Sequence, residues 1–174
     1  MERINQILNH PLYLEYLQKI KSWEKDRIFC KHDMVHFLDV CRIAENFWLR
    51  FCLEKKECGE EKEDDIFSEN MKVYIYATGL LHDIGRWQEY ELGIRHEIAS
   101  ATLADSILTN CGFHENEKSR ILQAISDHRN AQVKEEDSLS GWIYRADKKS
   151  RACFACEAQQ LCDWSLTKKN MKLI

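Results

Sequence analysis

The chain has 174 residues, enough for one domain with a substantial core, and its 44% hydrophobic and 31% charged content carries no disordered bias. A net charge of −4 argues against a broad electrostatic footprint for DNA or RNA, while a local anion pocket stays open because bound metal ions are not part of that sum. No stretch reaches the length of a membrane span and Met1 to Asn5 is not an apolar signal region, so the eight cysteines read as reduced thiols of a cytoplasmic protein.

One proline, six glycines and the near absence of strict apolar alternation predict a chain that is helical almost throughout. Asn9-His10-Pro11 reads as a helix start, with Leu12, Tyr13, Tyr16, Leu17 and Ile20 behind it. A second helix begins near Asp33 and carries Val35, Val40, Ile43, Ala44 and Phe47 at spacings of three and four. Lys55 to Asp65 is a charge-dense break, read as a solvated surface loop. A third helix from about Ser68 delivers His82-Asp83 at its C-terminal end, and Gly85 suits a left-handed turn closing it. Further helices run from near His96 to Cys111-Gly112, from about Asn116 to His128, and onward from Asp137-Ser138 through Trp142, Ile143, Tyr144, Ala146 and Asp147. The expected architecture is one all-α helical bundle over residues 1–174, with site residues from at least four helices facing its interior.

Six residues, His36, His82, Asp83, His96, His128 and Asp147, make up the ligand list of a two-metal site. A His-Asp doublet at the end of an apolar helix is awkward to bury for any other purpose. Adjacent helical residues point about 100° apart. His82 and Asp83 therefore converge only on something just beyond the helix end, where an Asp bridges two ions with its two oxygens. Asp147 stands in an apolar setting, where an unpaired acid is costly. His32 and His36, four apart, share a helix face at the mouth of such a pocket. Four imidazoles and two carboxylates suit one or two divalent transition metals (Fe, Mn, Co, Ni or Zn) better than Ca or Mg. Taken singly, His96 and His128 are as readily read as caps or core residues, and His10 and His114 fall outside the set. Lys31, Arg86, Arg95, Arg129, Lys148 and Arg151 lie near the ligand positions and suggest a phosphate, unless they pair with acids such as Glu97 or Asp127.

With these residues the chain resembles the HD superfamily of metal-dependent phosphohydrolases. The carrying segments are His32-x3-His36-x3-Val40, Leu81-His82-Asp83-Ile84-Gly85-Arg86 and Ala146-Asp147, within a motif core of residues 30–150. The resemblance implies that His36, His82, Asp83 and Asp147 are the shared metal ligands, and that His96 and His128 are the extra ligands of binuclear members. It implies that His32 is a proton donor facing the substrate phosphate. The expected reaction is hydrolysis of a phosphomonoester, phosphodiester or phosphoanhydride of a small, nucleotide-like substrate. In it Asp83 is catalytic as the bridge between ions that hold a hydroxide, His32 protonates the leaving oxygen, and Lys148, Arg86, Arg151 and Arg129 bind phosphate oxygens. The absence of a Gly-Tyr-Pro signature argues against cyclic-di-GMP cleavage. An HD-type di-iron oxygenase uses the same ligand set and is the alternative. A non-catalytic nucleotide sensor ranks third, because all six ligands are present. Trp87, Tyr90, Trp142 and Tyr144 are read as either core or nucleobase platform, and a homodimer stays open.

The resemblance leaves Cys153-x2-Cys156-x5-Cys162 in the C-terminal extension, residues 151–174, unexplained. Read simply, these are small helical, buried residues. Read as ligands, they hold zinc or an iron-sulfur cluster if a fourth donor comes from elsewhere. The spacing is similar to the last three cysteines of the iron-sulfur loop in endonuclease III-like glycosylases, but the first cysteine of that pattern falls at Ala146.

Overall fold

A computed structural model describes residues 1–57 and 69–172. Its α-helices are α1 (Glu2–Leu8), α2 (Pro11–Trp23), α3 (Met34–Glu57), α4 (Glu69–Leu81), α5 (Arg86–Leu92), α6 (His96–Asn110), α7 (Glu115–Asp127) and α8 (Leu139–Lys149). Short 3-10 turns cover Ala131–Glu135 and Cys153–Ala155, and no strand occurs among the described residues. The fold is all-α, as the periodicity predicts. None of the described helices is long and apolar enough to cross a membrane.

Polar side chains set most helix starts. The His10 ring accepts the Leu12 amide at 3.3 Å ahead of Pro11, which fits the first turn because it lacks an N–H. Asp33 accepts the amides of Val35 and His36 at 3.0 and 3.1 Å and so starts α3. Ser138 takes the Gly141 amide at 3.3 Å at the start of α8. His114 and Glu117 form a reciprocal capping box on α7. His10 and His114, which lie away from the proposed site, are therefore helix caps.

Helix α4 is apolar on all sides because it lies between two cores. Val73, Tyr74, Ala77, Leu80 and Leu81 join Ile4, Tyr13, Ile20, Phe37, Ile107, Ile121 and Ile125 in the larger one. Ile75 joins Val40, Ala44, Trp48, Trp142 and Ile143 in the smaller. With neighbours on every side, α4 is held rigidly, and its end is a fixed platform for His82 and Asp83.

Several local expectations need correction. The short helices α1 and α5 were not expected; α1 buries Ile4 and Ile7 and α5 buries no residue, so neither carries a long periodic signal. Helix α3 continues through Lys55, Lys56 and Glu57, which as good helix formers extend it; the rest of the Lys55–Asp65 segment lies outside the described residues. Gly112 does adopt the left-handed conformation, at φ 76°, but Gly85 does not, at φ −85°. Gly85 is needed for closeness instead. A Cβ there would stand 2.4 Å from the Ser100 amide and 2.7 Å from the Ala99 carbonyl carbon. Cys153 sits in a 3-10 turn and Cys156 just after it, so neither is α-helical.

The two ends of the larger core are tied by a forked ion pair. Arg3 donates to Glu117 at 2.7 and 3.0 Å, and Tyr74 donates to the same carboxylate at 3.2 Å. The Arg3 hydrogen bond is the main cause that lowers the Glu117 carboxyl to about 2. A depressed carboxylate contributes stability above its unfolded value near 4.5, and that contribution is lost as pH falls through about 2. Glu117→Gln is therefore expected to cost about 1 kcal/mol at neutral pH and to flatten the decline of stability over that acid window. Urea unfolding across pH tests this, and parallel wild-type and variant curves would refute it.

Candidate metal centre

The site gathers residues from five parts of the chain. His36 projects from the first turn of α3, His82 and Asp83 from the turn after α4, His96 from the first residue of α6, His128 from the C-cap of α7, and Asp147 from α8. The chain leaves helical geometry after Leu81, with Arg86 N–H donating to Asp83 O at 3.0 Å, and this turn lets two adjacent side chains converge. Gly85 then seats the turn against α6, its amide donating to Ser100 Oγ at 2.9 Å, which brings Asp83 beside His96.

The donors fall into two groups. One atom each from His36, His82, Asp83 and Asp147 lie within 4.8 Å of one another, and the same holds for Asp83, His96 and His128. Asp83 belongs to both, through different oxygens. Oδ2 faces His82 Nε2 at 3.3 Å and His36 Nε2 at 3.5 Å, while Oδ1 faces His96 Nε2 at 3.2 Å and His128 Nε2 at 3.5 Å. His36 Nε2 is also 3.7 Å from Asp147 Oδ1.

Each imidazole is held by its other nitrogen. Nδ1 of His82 meets Gly79 O at 2.8 Å, that of His128 meets Ile125 O at 2.6 Å, and that of His36 meets Ser150 Oγ at 3.1 Å. Ser150 donates its own proton to Asp147 O at 2.8 Å and so accepts from His36. His96 Nδ1 lies between Glu89 Oε2 at 2.7 Å and the Arg86 guanidinium Nη1 at 2.6 Å. For His36, His82 and His128 an acceptor on Nδ1 leaves Nε2 as the free electron pair, the arrangement that orients a metal-ligating histidine. His36 Nε2, His82 Nε2 and Asp83 Oδ1 are buried without a hydrogen-bond partner. Buried polar atoms are almost always satisfied, so two orphan nitrogens on the Oδ2 side of Asp83 and an orphan Oδ1 on the other fit cations in this cluster.

Electrostatics favour the anionic carboxylates that a cation needs. Burial would raise Asp83, but the charges of His82 and His32 and the close approach of the His128 and His36 rings outweigh it and hold the carboxyl well below its usual range. Asp147 is likewise held low against burial, mainly by Lys148 and Arg151. Burial lowers His96 to about 2, with Asp83 opposing and Arg86 assisting, and it lowers His36 as well. His82 is raised, because Asp83 overcomes the burial cost.

A family model, described as the HD domain, matches residues 33–158. This chain belongs to the HD domain family. That membership places it in a superfamily of metal-dependent phosphohydrolases, and the clustered donors fit the family's metal site. A relative from Clostridium beijerinckii (strain ATCC 51743 / NCIMB 8052), described as an uncharacterized protein, is 41% identical over 173 residues, covering 99% of each chain. No solved structure matches significantly.

In this HD domain the other sequence-derived candidates are also near the centre, but most face a carboxylate. Lys148 pairs with Asp147 and donates to His128 O at 3.2 Å; Arg151 is 3.4 Å from Asp147 Oδ1. Arg86 pairs with Glu89 at 2.6 Å, and Arg129 approaches Glu89 at 3.6 Å and Glu97 at 3.7 Å. Arg95 pairs with Glu97. Lys31 donates to the Lys25 carbonyl at 3.4 Å. Of the aromatic candidates, Trp142 is core, against Phe51 with ring centres 5.7 Å apart, and Trp87 stacks on Tyr16 at 6.0 Å.

His32 stands at the edge of the donor set, its Nε2 3.7 Å from Asp83 Oδ2. Behind it is a residue that sequence reasoning missed. Glu24, buried to 3% exposure, accepts the His32 amide at 2.7 Å and closely contacts His32 Nδ1. Tyr90 donates to the same carboxylate at 2.6 Å. Burial would raise Glu24, but these partners leave it lowered to about 2. No motif marks Glu24; only its contact across the α2–α3 connection does.

Gly85 gives the direct test of how the site is built. Gly85→Ala forces the turn away from the Ser100 amide, a cost of about 1–3 kcal/mol, and shifts Asp83 from His96. Unfolding midpoint and metal content should fall together, and an unchanged pair of values would contradict this placement.

Proposed function

We propose that this HD domain is a binuclear metal-dependent phosphohydrolase for a small phosphorylated, nucleotide-like substrate. The supporting observation is the division of Asp83, one oxygen toward His36 and His82, the other toward His96 and His128. In this reading His36, His82, Asp83 and Asp147 hold one ion, and Asp83, His96 and His128 hold the other. Divalent transition metals bound there would supply Lewis acidity, making a nucleophile available at neutral pH and offsetting phosphate charge.

The chain's own residues do the remainder. His32 presents Nε2 toward the centre while Glu24 holds its Nδ1, so the ring is oriented to hand a proton to a leaving oxygen. Tyr90 fixes Glu24 in turn. Arg86, Arg129, Lys148 and Arg151 surround the centre and can exchange a carboxylate partner for a phosphate oxygen, which Arg does through two donors.

Two experiments test this. Elemental analysis of anaerobically prepared protein should find two transition-metal ions in the histidine centre, and manganese- or cobalt-loaded protein should hydrolyse bis(p-nitrophenyl) phosphate without dioxygen. Asp83→Ala should lose both the ions of the histidine centre and turnover. Full activity in that variant sinks the reading, and turnover strictly dependent on dioxygen would point to oxygenase chemistry instead.

His32→Ala and Glu24→Gln should each lower kcat by about 10²-fold with metal content retained. Because Glu24 acts through His32, the double variant should be no slower than His32→Ala alone. Additive losses would show that Glu24 does not position this histidine.

A further inference from the structure

Four cysteines from two distant parts of the chain line one cavity of about 20 Å³: Cys30 from the α2–α3 connection, and Cys153, Cys156 and Cys162 from the C-terminal segment. All four are free thiols. The C-x2-C-x5-C run lacked a fourth donor in the sequence, and Cys30 supplies it from 123 positions before Cys153 (153 − 30). Phe29, Gln159 and Lys169 complete the lining.

The segment that carries three of these cysteines needs a stabiliser. From 151 to 172 it has no regular structure beyond the turn Cys153–Ala155, and it buries only Cys153 and Ala158. Leu161 and Leu166 point outward at 71% and 76% exposure. Fixing a residue's backbone costs about 1–2 kcal/mol, which so little apolar burial does not offset. Its hydrogen bonds wrap it around the cavity: Lys169 Nζ donates to Gln159 O at 2.9 Å and Cys162 O at 3.0 Å, and Gln159 donates to Cys153 O at 2.8 Å. An irregular segment whose thiols line one small cavity is the setting in which a metal supplies folding energy.

We propose that Cys30, Cys153, Cys156 and Cys162 form a second, tetrathiolate metal centre that clamps the C-terminal segment onto the connection bearing Glu24 and His32. The ligand is a soft, thiophilic metal, either zinc or an iron-sulfur cluster. Among the described residues only the two His/Asp groups bring three donors within 4.8 Å. The wider spacing of the sulfurs suits a cluster, with one iron for each cysteine, better than a single zinc. The clamp is distinct from the histidine centre and stands or falls independently of the proposed hydrolysis.

The test uses the anaerobically purified full chain in the Asp83→Ala background, which removes the shared ligand of the histidine centre. Iron with acid-labile sulfide and visible absorption, or one zinc per chain, should remain, and Cys156→Ser should remove it. Iron and sulfide identify a cluster; zinc alone identifies a single-ion site. Absence of iron, sulfide and zinc, or metal content unchanged by Cys156→Ser, overturns the proposal. A second measurement does not depend on how the serine variant folds. Wild-type chain stripped by chelator and reduced should give a thiolate-to-cobalt charge-transfer band on adding cobalt(II), and Cys30→Ser should not. No band in the wild type also overturns it.

Discussion

Asp83 carries its charge at 2% exposure in the middle of the protein, and the surrounding structure is organised around that fact. An isolated carboxylate there would be driven to its neutral form. Instead both oxygens are faced by imidazoles, with four Nε2 atoms 3.2 to 3.5 Å away and His32 slightly further. These histidines come from elements that share no local sequence, so α3, α4, α6 and α7 must pack in one register to keep the acid ionised. Packing and site chemistry are one constraint, and Gly85 is where it is tightest.

The histidines are made selective by what lies behind them. Main-chain carbonyls in the last turns of α4 and α7 hold His82 and His128, and the Ile125 carbonyl takes the His128 amide as well as its ring. Helix termination therefore supplies acceptors for the rings. Ser150 links His36 to the end of α8, and Glu89 on α5 reaches His96. The short helix α5 buries none of its residues, yet it carries Arg86, Glu89 and Tyr90, all of which contact the site.

The connection between α2 and α3 joins the two features of the fold that carry chemistry. It begins at Glu24, ends at His32-Asp33, and contains Cys30. Glu24 and His32 face the histidine centre, whereas Cys30 faces the C-terminal cysteines. Arg151 spans the same distance from the other chain direction, pairing with Asp147 and lying over Trp164, 4.1 Å from the ring centre. The C-terminal segment is thus mechanically continuous with the wall of the site.

The sequence alone determined that this is an all-α chain and named the six His and Asp residues that the fold gathers, because helical periodicity and residue type are local properties. It also marked most helix starts, since Asp33, His10 and Ser138 act within three residues of themselves. It did not reveal Glu24, whose partner is eight residues away across an irregular turn, nor Cys30, which meets cysteines at the far end of the chain. The reason for Gly85 was legible only in part: glycine was evident, but the close backbone of α6, not a left-handed turn, requires it. Which oxygen of Asp83 faces which histidines, and which bases already hold acids, were decided by tertiary structure. Those depend on distances between elements, and no local pattern encodes them.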